Sequence, residues 1–296
     1  MRLCRNLITD YLTANFTEDE PVWTGDPTVY NNGDEAREDH IIYKYAGISG
    51  TNTATTPSLN PEDWLEYKTS NYYAMLGERT IDQTITSGDL IIEITSQNYD
   101  TLSLLNVVGS QIDIEMKDSM SNIVFTDSYD LNNNIEIVDA YSYYFNPFEF
   151  FTGYYTQIPI YPNSTIKITI TAASGTAAIG RLVCGQGYGL GINLYGATFS
   201  LESFSRTDFD EFGSATLIHR EAVYNSQYVV VIPSVNVPRL QRKRKELDAI
   251  PILFIGDESE ESDYENLLSY GLWQGADMLL RNPVNSELNL TIKELL

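Results

Sequence analysis

The sequence predicts a mainly β protein with three parts. These are a small N-terminal β module, an antiparallel, jelly-roll-like β-sandwich, and a C-terminal β-rich domain with one helix. Three observations predict it. Tyrosine is abundant, at 21 residues against 11 Phe and 3 Trp, and together with Thr, Ile and Val it favours strands. The run Thr165-Ile166-Lys167-Ile168-Thr169-Ile170-Thr171 alternates apolar and polar residues without a break, as a strand with one buried and one wet face requires. A slip of one residue would expose all three Ile, so the register is fixed. Finally, short apolar runs recur between turn signals such as Ser87-Gly88-Asp89 and Ser174-Gly175, the spacing of a sandwich rather than of βαβ units.

Composition narrows the function classes. A chain of 296 residues, 43% hydrophobic, has room for one large domain or several small ones. Its formal net charge of -23 argues against coating nucleic acid by phosphate neutralisation and fits a particle that does not self-associate at random. There is no apolar run long enough to span a bilayer, so no membrane span is expected. The first residues lack the apolar core and cleavage site of a secretory signal. Cys4 and Cys184 stand far apart, in no metal-binding spacing, and are expected as two buried thiols rather than a disulfide.

In chain order, residues 1–20 read as an arm or short helix. Leu3, Ile8, Leu12 and Phe16 follow a loose helical spacing that ends before Pro21. It packs on its own domain or reaches a neighbour. Residues 21–72 form a small turn-rich β module with Trp23, Tyr30, Gly33-Asp34, Tyr43, Tyr45, Pro57, Pro61 and Trp64. Two readings of Trp23, Tyr45 and Trp64 stand side by side. As exposed, coplanar rings they form a sugar-binding platform; alternatively they are the core of a module with little else to bury.

Residues 73–184 are the sandwich. Strands are expected at 90–94, 102–108, 111–116, 122–128, 165–171 and 177–184, with a hairpin connection at 117–122 and a turn at 130–134. The aromatic stretch 143–155 is expected as a packed loop that buttresses the sandwich. Residues 185–296 form the last domain. Its opening glycines (Gly185, Gly187, Gly189 and Gly191) lack the Lys-Ser/Thr and the helix of a phosphate loop and read as a flexible connection between domains. Strands follow at 198–204, 215–224 and 227–232. One helix is expected over 237–250, capped by Ser234 or Asn236, with Pro238 in its first turn and Pro251 ending it. Leu240, Leu247 and Ile250 share its inner face. Strands at 251–255, 267–273 and 288–292 complete the domain.

No reaction centre emerges. His40 and His219 sit in no zinc pattern, no Gly-x-Ser-x-Gly elbow occurs, and the acidic loop 257–261 lacks calcium-loop spacing. Pairs of carboxylates arise by chance among 41 Asp and Glu. No catalytic residue, metal or cofactor is therefore assigned. The anomaly is Arg239, Arg242, Lys243, Arg244 and Lys245, five of only 18 basic residues within one short segment. They are either a solvated helix face or a docking patch for an acidic neighbour.

Two resemblances add to this reading. The order Trp23, Tyr30, Gly33-Asp34, Tyr45, Pro57, Trp64 resembles the small carbohydrate-binding module of chitinases, which also recurs near the N-termini of tailed-phage virion proteins. Where that module has a short apolar strand after Gly-Asp, this chain has the charged run Asp34-Glu35-Ala36-Arg37-Glu38-Asp39-His40. Over roughly residues 21–296, a longer succession resembles a family of tailed-bacteriophage structural proteins found in virions and prophages. It comprises Ile160-Tyr161-Pro162, the Ile-alternating strand, Tyr195-Gly196-Ala197, Asp210-Glu211-Phe212-Gly213, the helix and Tyr270-Gly271. That resemblance implies a non-enzymatic virion component of the tail or neck, made in the host cytoplasm. Its partners would be other tail, neck or fibre proteins and copies of itself in a ring or trimer. The first resemblance implies a host surface glycan as an alternative partner, bound through Trp23, Tyr45 and Trp64.

Overall fold

The structure is a computed structural model describing residues 1–8, 10, 13–18, 21–25, 28–48, 51–52, 55–77, 82–132, 137–145, 149–209, 211–220, 222–257, 267–279 and 283–295. Leu12, Asn133, Asn134, Pro147, Asp210 and residues 258–261 of the acidic loop lie outside them. Among the described residues the protein is mainly β, and no helix is long and apolar enough to cross a membrane.

The N-terminal segment is extended rather than helical. Arg2–Cys4 form β1 and Thr13–Ala14 form β2. Leu3 and Cys4 are adjacent yet both buried, which requires a strand covered on both faces. The small module follows with β3 (Val29–Tyr30), β4 (Glu35–Glu38), β5 (Ile41–Tyr45), β6 (Thr51–Asn52) and β7 (Trp64–Thr69). β4, β5 and β7 make an antiparallel sheet, and β3 pairs with β6. The charged run is strand β4. Its Ala36 points into the module, while Glu38 at the surface accepts hydrogen bonds from the Ser58 amide at 2.8 Å and hydroxyl at 2.9 Å.

The sandwich comprises β8 (Thr84–Ser87), β9 (Leu90–Thr95), β10 (Thr101–Val108), β11 (Gln111–Lys117), β12 (Ile123–Asp130), helix α1 (Ala140–Phe145), β13 (Gly153–Gln157), β14 (Thr165–Thr171) and β15 (Thr176–Gly185). One sheet runs β13-β10-β15-β8. The other runs β12-β11-β14-β9, with β2 added at its edge. Eight antiparallel strands distributed in this order make a jelly roll. Ile166, Ile168 and Ile170 are fully buried between the sheets, with Ile168 opposite Ile92 and Ile114. The aromatic stretch divides. Tyr154 and Phe151 pack on the core, but Tyr141, Tyr143, Tyr144 and Phe145 of α1 are exposed. They pair with one another instead of buttressing the sandwich; the Tyr141 and Phe145 ring centroids are 4.6 Å apart.

The C-terminal domain contains β16 (Gly187–Gly189), β17 (Ile192–Asn193), β18 (Thr198–Ser203), β19 (Arg206–Phe209), β20 (Ala215–Ile218), β21 (Ala222–Pro233), helix α2 (Val237–Glu246), β22 (Ile252–Ile255), β23 (Leu268–Leu279) and β24 (Asn285–Glu294). Its 8-stranded sheet runs β16-β1-β22-β23-β24-β21-β17, with β18 also on β21. The N-terminal strand thus lies inside the C-terminal sheet. Leu3, Ile252 and Phe254 face α2, whereas Cys4, Leu253 and Ile255 face Leu105 and Val183 of the jelly roll. The result is a stack: two jelly-roll sheets, the large sheet, then the helix.

This stacking corrects the reading of the glycines at 185–191 as a flexible connection. A Cβ on Gly185 would lie 2.3 Å from the Arg5 carbonyl oxygen, and one on Gly187 would lie 1.7 Å from Arg2 Nε. These glycines let the first strand approach closely. The helix is shorter than expected. It ends at Glu246, Leu247 closes it, and Ala249 has a φ of 57°. Neither Ser234 nor Asn236 caps it through its side chain; Asn236 holds the cap position without a cap bond, and Ser234 pairs with Ser286 at 2.8 Å.

Candidate docking surfaces

The three aromatics proposed as a sugar platform do not form one. Tyr45 and Trp64 are 1% and 2% exposed. They meet edge to face with centroids 5.0 Å apart, and Tyr30 adds a second edge contact to Trp64 at 4.9 Å. The Tyr45 hydroxyl donates to the Ile48 carbonyl at 3.2 Å, and Tyr30 donates to the Thr24 carbonyl at 2.8 Å. Trp23 packs half-buried at the rim of this cluster. So small a module has few other large apolar groups to bury, Ile42 among them, so its rings become most of its core. A buried ring offers no face to a pyranose, which removes two of the three candidates.

The basic residues do converge. Val237, Leu240 and Leu247 turn inward onto the large sheet, and the helical period then sets Arg239, Arg242, Arg244 and Lys245 outward. All four are exposed and Lys243 is half-buried. Their local ties are weak. Arg239 lies 4.9 Å over the Tyr188 ring, Arg242 Nε donates to the Pro238 carbonyl at 3.4 Å, and Arg244 reaches the Gln274 carbonyl at 3.5 Å. Lys243 pairs with Glu246 at 2.9 Å. Lys243, Arg244 and Lys245 in the last turn also suit the negative end of the helix dipole. A cavity of about 250 Å³ opens between Arg239 and the edge strand β16.

A second surface escaped the sequence reading. β18 and β21 continue as a hairpin, β19–β20, that leaves the sheet. The sequence marks its strands and turn but not that it projects. Among its described residues, Phe209, Phe212 and Leu217 are exposed. Its base is anchored. Lys293 pairs with Glu202 at 2.7 Å, and that contact, helped by Asn225, holds the Glu202 carboxyl below its ordinary value. Glu294 accepts from the Tyr224 amide at 3.2 Å, and burial pushes its carboxyl up.

The thiols are inert by position. Cys4 and Cys184 are free and buried, as expected. Burial, with Asp100 nearby, pushes Cys4 up to about 12, and burial raises Cys184 well above the thiol range. Burial and the hydrogen bond to Asp127 likewise raise Tyr154 above the phenol range. None of these groups opens onto the docking surfaces. Compared with known protein families and with curated proteins, the sequence matches none.

Proposed function

We propose that the chain is a non-enzymatic structural component of a tailed-phage virion, an adaptor of the tail or neck that docks neighbouring subunits or fibres. The observation that carries this reading is the α2 cluster. Five cations stand on one helix of a chain whose net charge is -23, four of them exposed. The helix sits on a rigid stack of three sheets. A fixed positive patch in a negative field selects an acidic neighbour and sets its register, more than it adds affinity. The resemblance over residues 21–296 supplies the virion setting. The glycan alternative has lost Tyr45 and Trp64 to the module core and rests only on the resemblance of the N-terminal module.

The test reverses Arg242 and Arg244 to Glu in a phage that encodes this chain. Both side chains are exposed, so the purified variant keeps its fold. The expected result is particles that lack the chain or stall in assembly. Normal incorporation of the folded variant refutes the proposal.

A further inference from the structure

The hairpin β19–β20 is an amphipathic ribbon. Its register pairs Thr207 with Leu217 and Phe209 with Ala215, so these four side chains share one face. The opposite face carries Arg206, Asp208, Thr216 and Ile218, with Arg206 and Asp208 paired at 2.5 Å. The apolar face is solvent-exposed: Phe209 is 71% exposed and Leu217 70%. Phe212 at the tip is 92% exposed, next to the exposed Glu211. An isolated two-stranded ribbon is marginal in water, and apolar side chains on a single layer call for a second layer.

The surface that fits lies at the other end of the same domain. Val235, in the turn before α2, and Val284, before β24, are exposed and adjacent, with the Ser234 amide donating to the Val284 carbonyl at 2.9 Å. Arg239 and Arg242 follow Val235 at spacings of four and three residues, which continues one stripe. Apolar and cationic groups here match the apolar and acidic groups of the hairpin. Strand β21 connects the two, with the hairpin at its start and the turn into α2 at its end. Its span is about 36 Å, and the hairpin projects about 20 Å beyond the sheet. A hairpin therefore does not reach the helix of its own chain.

We infer that the hairpin of one copy docks head to tail on the Val235–Arg239–Arg242 stripe of a second copy. The occupant follows from charge. In a chain of net charge -23, another copy is repelled over most of its surface, and the α2 cluster is where an acidic tip is attracted. A head-to-tail contact closes into a ring when the rotation per subunit permits and otherwise extends into a filament. The inference rests on the docking role of α2 and names its partner.

The test measures the mass of the full chain by sedimentation and light scattering, with negative-stain imaging. The wild type is expected to assemble with rising concentration and to loosen with salt. Phe209→Ser with Leu217→Ser, and separately Arg239→Glu with Arg242→Glu, should each weaken assembly by about thirtyfold or more, as loss of interface anchors does. Mixing the two variants should give a one-to-one dimer and nothing larger, because one keeps an intact helix and the other an intact hairpin. Should either variant unfold, Glu211→Lys and Arg239→Glu, each defective alone, should restore assembly when combined in one chain. A wild type that stays monomeric, or a mixture that forms no dimer, overturns the inference. If that chain still depends on Arg242 and Arg244 for entry into particles, the docking role of α2 survives and only the self-contact falls.

Discussion

Asp100 joins the jelly roll to the C-terminal sheet, and its removal should be costly. It lies just before β10. Its Oδ2 accepts from Arg2 Nη2 at 2.7 Å, which reaches into the N-terminal strand. Its Oδ1 accepts from the Gly187 amide at 2.7 Å, which reaches into β16, and from the Thr101 hydroxyl at 2.8 Å. One carboxylate thus holds the two strands that flank the joint. The Arg2 and Asp100 side chains are only 14% and 25% exposed. Asp100→Ala leaves a mostly buried guanidinium without its carboxylate and a strand amide without its acceptor. Losing one partner of a buried pair costs about 3–5 kcal/mol. Because a quarter of Asp100 meets water, the lower end, about 3 kcal/mol, is expected. Asp100→Asn keeps a carbonyl for Gly187 and Thr101 but loses the charge, so it should cost about half as much, near the 1.5 kcal/mol of one charge-assisted hydrogen bond. Urea unfolding followed by Trp fluorescence reads both, with Arg2→Met completing a double-mutant cycle. The reasoning fails if Asp100→Ala costs under about 0.5 kcal/mol, the scale of an ordinary surface change, or if the cycle shows no coupling between Arg2 and Asp100.

Two further outcomes follow from burial. Ile168→Ala should cost about 2–5 kcal/mol, while Lys167→Ala on the wet face of β14 stays within about 0.5 kcal/mol; equal costs in urea unfolding would contradict the jelly-roll register. Cys4 and Cys184 should resist a thiol reagent at pH 8 in the folded chain, because both are buried and their thiols are shifted up, and should both react after unfolding; a fast-reacting thiol in the native chain would refute that placement.

The parts of the fold that depend on one partner were legible. Strand β14 alternates because one face meets the jelly-roll core and the other meets water. Helix α2 announced itself through Pro238 and an apolar face, and its cations fell outward by the same periodicity. What the sequence hid depends on distant chain. In β10, Leu102 and Leu104 face the jelly-roll core, Leu105 faces the large sheet, and Val107 faces the core again. Asn106, at φ 52°, shifts the phase between them, so no simple alternation survives. Strand β1 is short and buried on both sides, and a spacing from Leu3 to Ile8 was then open to a helical reading. The aromatics stayed open between two readings for another reason. Trp64 in a core and Trp64 on a sugar platform look identical in sequence, and the exposed rings of α1 carry the same residue types as the buried Tyr154. The projecting hairpin showed its strands and its Phe-rich turn, but whether a second layer covers Phe209 and Leu217 is a property of the packing around them.

The position of β1 ties the first residues to strands far along the chain. It lies between β16 and β22, which begin at residues 187 and 252. The sheet therefore cannot close until residues some 250 positions from the N-terminus are available, and contacts this distant in sequence make folding slow. The Met1 amine caps the arrangement by donating to the Gly191 carbonyl at 2.8 Å. What the long closure provides is a joint without a hinge. Residues 5–8 leave β1 along the jelly roll, where the Leu7 amide donates to the Cys184 carbonyl at 3.0 Å and the Cys184 amide to Asn6 Oδ1 at 3.1 Å. One segment thus pairs with both units, and the hydrophobic cluster around Leu253 and Val183 fills the space between them. The adaptor role we propose, with a hairpin at one end and a cationic helix at the other, needs a fixed distance between them. Strand β21 fixes that distance within the large sheet, and β1 fixes the large sheet to the jelly roll.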